Sequence, residues 1–289
     1  MHKIIKDKLE YLVIIIFFYF FRFLGLEISS FLGGLITCIF GFFSKRRSIA
    51  LANLSIAFPN LDLKEKKRII NKMWFNLGRV IGEYPNLDKI KIKENKNIVL
   101  IDHQNCVEPC ESNSNCLFFS AHIGNWEITS HPITQFGYKM WFIYRAPNNK
   151  HIDSILREIR ANYGVGLIKK GTKGAKKCIS LLKVKKQNLG MLIDQKMNDG
   201  VKTFFFNRKV MTASAIAKFA IKYKCPIIPT LCIREKGTKF KIIYFKPIRY
   251  KKILKLGSEE NIMNFLNKYV ESWVRKYPEQ WLWIHKRWK

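Results

Sequence analysis

Acidic side chains are scarce in this chain of 289 residues: 21 Asp and Glu stand against 52 Lys and Arg, leaving a net charge of +31. A field of that size favours an anionic partner, and nucleic acid, an acidic protein, anionic lipid head groups or a phosphorylated substrate would each fit. A nucleic-acid reader also needs a recognisable module, and the chain lacks one. It has no zinc-finger spacing, no aromatic RNA-binding signature and no basic region leading into heptads, so no nucleic-acid partner is expected. Glycine-rich phosphate-binding loops and internal repeats are missing as well. No small-residue cleavage site follows the N-terminal apolar run, which argues against a removed signal peptide. What the chain does have is apolar material, 48% of its residues, enough for one large core or two modest ones and too much for a disordered tail.

The seven cysteines are an odd number, which argues against a disulfide framework and for a reducing compartment. His103, Cys106, Cys110 and Cys116 cluster, but H-x2-C-x3-C-x5-C lacks the tight C-x2-C knuckle of common zinc sites. The segment HQNCVEPCESNSNC reads better as a polar loop with incidental thiols. No metal or other cofactor is expected.

The first 44 residues read as a membrane segment. Tyr11 to Phe21 (YLVIIIFFYFF) is uninterrupted apolar and reaches Leu26 if Arg22 is tolerated. A second stretch runs from Ile28 to Phe43, softened by Gly33, Gly34 and Gly41. Each is shorter than the roughly 20 residues of a spanning helix. A buried soluble helix is the plainer alternative, but Phe17, Phe18, Phe20 and Phe21 would place aromatic surface on every face. Lys3, Lys6 and Lys8 precede the segment and Lys45, Arg46 and Arg47 follow it, so both flanks prefer the cytoplasmic side. That suits a re-entrant or interfacial hairpin, or an amphipathic helix pair, better than a single span with a translocated domain; one tilted span is a further alternative, and each draws the basic body to an anionic leaflet.

Beyond the anchor, residues 48–59 read as a helix stopped by Pro59, and 62–83 as a helix with apolar positions from Ile69 to Ile81. Strands are predicted at 97–101, 117–121, 139–144, 189–193, 226–233 and 240–246. Helices are predicted at 125–135, 150–163, 171–184, 212–223 and 258–276. The alternation indicates an α/β fold, a central mostly parallel or mixed sheet flanked by helices. Sites in such sheets lie beyond the carboxyl ends of the strands, and His122, Arg145 and Asp194 each follow a predicted strand.

Residues 122–127 read His-Ile-Gly-Asn-Trp-Glu just past the apolar run Leu117–Ala121. With His122 at a strand exit and Glu127 in the following turn, the carboxylate could take one ring nitrogen and leave the other as a base. A histidine that only caps a strand end fits the same six residues.

HIGNWE resembles the H-x4-E/D motif of the bacterial lipid A biosynthesis acyltransferases, the lauroyl and myristoyl transferases. RRSIALANLSIAFP (46–59) resembles that family's basic, NL-then-FP segment. Tyr144-Arg145 with Asn149 resembles its Y-R-P-x-x-N, and Arg160 to Gly164 its R-x3-G. Asp194-Gln195-Lys196 through Asp199-Gly200, then Phe205-Phe206 and Thr212, is similar to its D-Q-x segment, paired aromatics and threonine. Pro278 to Arg287 (PEQWLWIHKR) resembles its P-E-Q-x-x-W-x-H-x-R. The similarities come in order over about residues 45–289. Ala146 departs from the usual proline, and Asn207 from the glycine after the paired phenylalanines.

The resemblance implies a glycerolipid-acyltransferase-like fold, with residues 1–44 as anchor and 45–289 as acyltransferase domain. It implies transfer of a fatty acyl chain from an acidic acyl carrier protein thioester to a hydroxyl of an anionic, phosphorylated lipid A precursor, at the cytoplasmic face of the bacterial inner membrane. His122 is then the expected base and Glu127 the carboxylate that fixes its tautomer. Arg145 is the first candidate for the oxyanion and Arg160 the second, unless they hold an acceptor phosphate. Asn149, Asp194 and Gln195 are expected at the substrate, Asp194 orienting a site residue or capping a helix. Trp283, His285 and Arg287 are expected to pack or touch a head group. Two alternatives stand beside this reading: a glycerolipid or glycolipid acyltransferase with another acceptor, and a non-catalytic protein binding anionic lipid.

Overall fold

Apolar runs too short for helices alternate in this chain with amphipathic helical stretches, and the runs assemble into one seven-stranded sheet. The computed structural model describes every residue except Met1, Lys93, Asn95, Lys96, Asn113, Lys185 and Lys289, and the side chains of His2 and Lys3. The chain opens with three helices, α1 (His2–Phe43), α2 (Arg46–Ala57) and α3 (Leu63–Glu83). The α/β body follows: β1 (Ile98–Ile101), α4 (Gln104–Glu111), β2 (Leu117–Ser120), α5 (His131–Gln135), β3 (Met140–Tyr144), α6 (Lys150–Asn162), β4 (Val165–Lys169), α7 (Thr172–Leu182) and β5 (Asn188–Leu192). A hairpin of β6 (Lys196–Phe205) and β7 (Arg208–Thr212) comes next, then α8 (Ala215–Tyr223), β8 (Ile227–Lys236), β9 (Lys239–Tyr244), α9 (Tyr250–Leu256) and α10 (Glu259–Lys276).

The sheet order is β1-β9-β8-β2-β5-β3-β4. Every neighbouring pair is parallel except β8 with β9, so the sheet is mixed, as the alternation predicts. Central parallel strands must be covered on both faces, which is why they read as unbroken apolar runs. In β2, Leu117 and Phe119 enter one core with α2, α3, α7, α8 and α10, while Phe118 enters the other with α4, α5 and α6.

Several segments depart from the sequence reading, among them α9, which was not expected. β4 falls between the helices expected at 150–163 and 171–184, where no element was assigned; it includes Gly166, and a Cβ there would collide with the Trp141 ring of β3. The β6–β7 hairpin occupies a stretch to which no element was assigned, and its last residue, Thr212, moves the start of the helix expected at 212–223 to Ala215. Its two-residue turn puts Phe206 at φ 51° and Asn207 at φ 57°. Asn accepts that left-handed conformation better than other non-glycine residues, which accounts for Asn207 where the resemblance has glycine. The cysteine segment is not a loop but contains α4, whose i, i+4 spacing buries Cys106 and Cys110 beside buried Cys116. Among the described residues, no group of three or more His, Cys, Asp or Glu could hold a metal ion.

The two N-terminal apolar stretches form one helix, α1, kinked at Gly25 (φ 75°). It is long and apolar enough to cross a membrane by length and composition. Its second half packs on α3 at backbone contact. A Cβ on Gly33 would strike the Gly78 carbonyl, one on Gly78 the Gly33 carbonyl, and one on Gly82 the Ser29 carbonyl. Small residues four apart on α3 are what permit this approach. Ser30 of α1 donates to Glu83 at 2.6 Å, and Arg22 pairs with Asp88 at 2.8 Å.

Candidate active site

Two parallel neighbours set the centre of the site. β2 and β5 run side by side with Ser120 opposite Leu192, and Ile193 donates its N–H to the Ser120 carbonyl at 3.2 Å. The residues just beyond, His122 and Asp194, therefore leave the same sheet edge together. Asp194 Oδ1 lies 2.8 Å from His122 Nδ1, and Asp194 Oδ2 accepts the His122 backbone N–H at 2.9 Å and the Trp281 indole N–H at 2.8 Å. The Asp194 side chain is fully buried and that of His122 is 17% exposed. Burial alone would raise the Asp194 pKa, but the His122 ring, its two N–H groups and His285 outweigh it and hold the carboxyl well below its usual range. The ionised aspartate accepts from the Nδ1–H of His122, the tautomer that turns the Nε2 lone pair away from it.

The carboxylate that orients His122 is Asp194, which corrects the role expected of Glu127. The residues after Gly124 form a 3₁₀ turn, Trp126–Ser130, rather than an α-helix. Gly124 takes φ +60°, and a Cβ there would collide with the Cys232 carbonyl of β8. From that turn Glu127 receives Arg160 through both oxygens, at 3.0 and 2.7 Å, and the Trp126 indole at 3.2 Å. Burial would raise the Glu127 pKa, but Arg160 foremost, then Trp126 and the neighbouring His122, bring it below the carboxylate norm. Arg160 lies over the Tyr84 ring at 5.5 Å. Desolvation would lower its pKa, yet Glu127 raises it. Arg160 is therefore the counter-ion of Glu127, held beside the His122 loop.

Asn149 is also reassigned. Its side chain accepts from His151 N–H at 3.0 Å as the cap of α6 and donates to the Asp7 carbonyl of α1 at 2.8 Å and to Glu10 at 3.3 Å. It joins helices and leaves no amide donor for a substrate. Arg145, by contrast, is exposed directly after β3, at the same sheet edge. β3 is two strands from β2, roughly 10 Å.

The C-terminal segment completes the site, a contribution that single residues of the sequence did not reveal. Ile123 bridges Trp281, Leu282 donates to the His122 carbonyl at 2.9 Å, and Gly124 donates to the Gln280 carbonyl at 3.2 Å. Asn53 of α2 holds the Trp283 carbonyl at 2.6 Å. This path brings in a second imidazole, His285, whose ring centre is 5.4 Å from that of His122. The Gln195 amide nitrogen sits 3.1 Å from His122 Nε2 and 2.8 Å from His285 Nε2. Arg287 secures this corner by donating to the carbonyls of Gln195 at 3.3 Å and Met211 at 2.9 Å. The packing and head-group roles expected of the tail thus understate it. The signal was present in the ordered PEQWLWIHKR match, which tied the tail to the same family pattern as HIGNWE.

Below the site, Glu83 is fully buried. Arg234 meets it through both terminal nitrogens, one at 2.9 Å, and Asn125 donates to it at 2.6 Å. Asn76 donates to the Gly124 carbonyl at 2.9 Å and accepts from Arg234 Nε at 3.0 Å. The loop carrying His122 is thereby pinned to α3 and β8.

Buried His131 and half-buried His285 give the fold an acid sensitivity. Desolvation foremost, and for His285 also the neighbouring His122 and Arg46 against the opposing Asp194, lowers the pKa values of His131 and His285 to about 4 each. An unfolded histidine titrates near 6.5. Because the folded values are the lower ones, the unfolded chain binds protons first. Stability is therefore expected to fall as pH drops from about 6.5 to about 4, by up to roughly 3 kcal/mol per histidine. Denaturation midpoints measured between pH 7 and 4 in mild detergent check this. A flat profile would contradict it.

The family profile described as bacterial lipid A biosynthesis acyltransferase matches residues 3–289. No curated protein matches the chain. A solved structure, the 1-acyl-sn-glycerophosphate (LPA) acyltransferase PlsC from Thermotoga maritima, is similar over 96% of this chain and 99% of that one, at 13% identity and a TM-score of 0.42. At that likeness no functional statement rests on it. The family match does carry one, because it covers nearly the whole chain, including the His122 loop, the Asp194 strand end and the tail that closes over them: the chain belongs to the bacterial lipid A biosynthesis acyltransferases.

Proposed function

We propose that this acyltransferase moves a fatty acyl chain from an acyl carrier protein thioester to a hydroxyl of a lipid A precursor, with His122 as base. The observation that carries the reading is the His122–Asp194 pair at the open edge of the sheet. A hydroxyl is a weak nucleophile. His122 Nε2 takes its proton as the oxygen bonds to the thioester carbon. Asp194 steadies the imidazolium that forms. The tetrahedral intermediate then expels the thiolate, which recovers the proton from His122. No enzyme nucleophile is needed, since the acceptor itself attacks. Exposed Arg145 at the same sheet edge is the first candidate for the oxyanion or an acceptor phosphate, and Arg160, paired with Glu127 beside the His122 loop, the second.

The anchor reading rests on α1. Exposed apolar side chains run along its length, from Ile4, Leu12 and Ile16 to Phe40 and Phe43. Yet the helix is tied to the body near Asp7, at Arg22 and at Ser30. A helix bound at successive heights suits residues 1–44 lying in the cytoplasmic leaflet of the inner membrane rather than crossing it. The basic body would then face anionic lipid and an acidic donor.

Purified protein in detergent, given a long-chain acyl carrier protein thioester, is expected to acylate a lipid A precursor at least tenfold faster than lysophosphatidate. Mass spectrometry of both acceptors checks this. The reverse preference would replace this reading with the glycerolipid one.

A further inference from the structure

The lone pair that the proposed reaction needs is already in use. With Asp194 fixing the hydrogen of His122 on Nδ1, Nε2 can only accept, and the Gln195 amide donates to it at 3.1 Å. The amide's other N–H goes to His285 Nε2 at 2.8 Å. One nitrogen thus bridges two imidazoles, each requiring a donor. His285 is neutral near pH 7, since desolvation keeps its pKa at about 4, so its Nε2 can serve as an acceptor. The arrangement is held from behind. Arg287 grips the Gln195 carbonyl, and Asn53 holds the backbone carbonyl of Trp283. An acceptor hydroxyl can donate to His122 Nε2 only by displacing the Gln195 N–H, and the displaced amide retains its hold on His285.

We propose that Gln195, parked on His285, is a displaceable cap on the base, which keeps His122 from activating water until an acceptor hydroxyl takes the amide's place. The cap rests on the reading of His122 as the base of acyl transfer. It gives Gln195 and His285 positioning roles in place of contacts to substrate. An uncapped base beside a bound thioester would deprotonate water as readily as a lipid hydroxyl, and hydrolysis would waste the donor.

Diethyl pyrocarbonate tests the cap without any acyl substrate. The reagent bonds to an unprotonated, unoccupied imidazole nitrogen and releases ethanol and carbon dioxide. Labelling of His122 in the full-length protein in detergent is followed by mass spectrometry, with exposed His151 as internal reference. Gln195→Met keeps the bulk and removes the donor. It is expected to label His122 about five- to tenfold faster than the wild type, the range one hydrogen bond supports, with His151 unchanged. Gln195→Asn is too short to span both imidazoles and is expected to behave likewise, which covers the case in which the methionine variant fails to fold. Unchanged His122 labelling in whichever of these variants folds would overturn the cap. A second arm uses palmitoyl-pantetheine without acceptor, where hydrolysis should rise in step with labelling. Faster labelling with no thioester cleavage in any variant would uphold the occupied lone pair and sink the acyl-transfer reading instead.

Discussion

Replacing His122 with alanine is expected to lower acyl transfer by about a hundred- to ten-thousandfold while the protein stays folded and bound to membranes. Asp194→Asn should come close to the same loss, for a different reason. An asparagine that turns its amide N–H toward His122 Nδ1 forces the ring hydrogen onto Nε2, so the lone pair points away from the acceptor. Because the two residues act as one unit, the double variant should be scarcely worse than His122→Ala alone. Glu127→Gln separates the two carboxylates. It breaks the Arg160 pair, which lies beside the site rather than on the base, so it should cost stability more than turnover. Steady-state rates of the four variants with the acyl carrier protein thioester decide the matter. Near-normal turnover by His122→Ala would end the mechanism, and an inactive Glu127→Gln beside an active Asp194→Asn would return the orienting role to the glutamate.

The second large effect concerns folding. Arg234→Met removes the guanidinium that faces Glu83 and leaves that carboxylate buried with only Asn125 and Ser30 as donors. Breaking a buried pair on one side typically costs about 3–5 kcal/mol. For a domain whose whole stability is of order 5–15 kcal/mol, that is a large share. The expected result is a steep loss of folded protein, read as a drop in the thermal or denaturant midpoint. The double variant Glu83→Leu/Arg234→Met removes both charges and should recover much of the loss, though Asn125 would still lack a partner. A wild-type midpoint in Arg234→Met would show that the network is not under strain.

The sequence revealed those parts of the fold where the local pattern has a single reading. Six strands and the long amphipathic helices emerged from apolar runs and spacing, because central parallel strands bury both faces. It failed where tertiary contact decides. Gly166 is acceptable in β4 because the Trp141 ring fills its place, and no local pattern shows that. The proposed base was visible as a strand-end histidine. Its partner was misplaced because H-x4-E suggests one helical turn, whereas the chain makes a glycine-led 3₁₀ turn that carries Glu127 to Arg160. Asp194 was visible only as one of three polar strand ends. That it adjoins His122 follows from β5 pairing with β2, a pairing between segments some seventy residues apart. The Gln195–His285 bridge needs the tail folded back across the same edge, farther still along the chain.

The route from Ser30 through Glu83 and Asn125 to the loop of His122 bears on how this enzyme can be handled. A long apolar N-terminal helix is commonly cut away to give a soluble fragment for crystallisation or assay. Here that cut would remove the Ser30 hydroxyl from Glu83, uncover Gly78 and Gly82 and release Asn149 from Asp7. A fragment starting near residue 45 is therefore no neutral shortening of the protein. It is a variant of the His122 loop, and inactivity in it would say nothing about the chemistry of the intact chain.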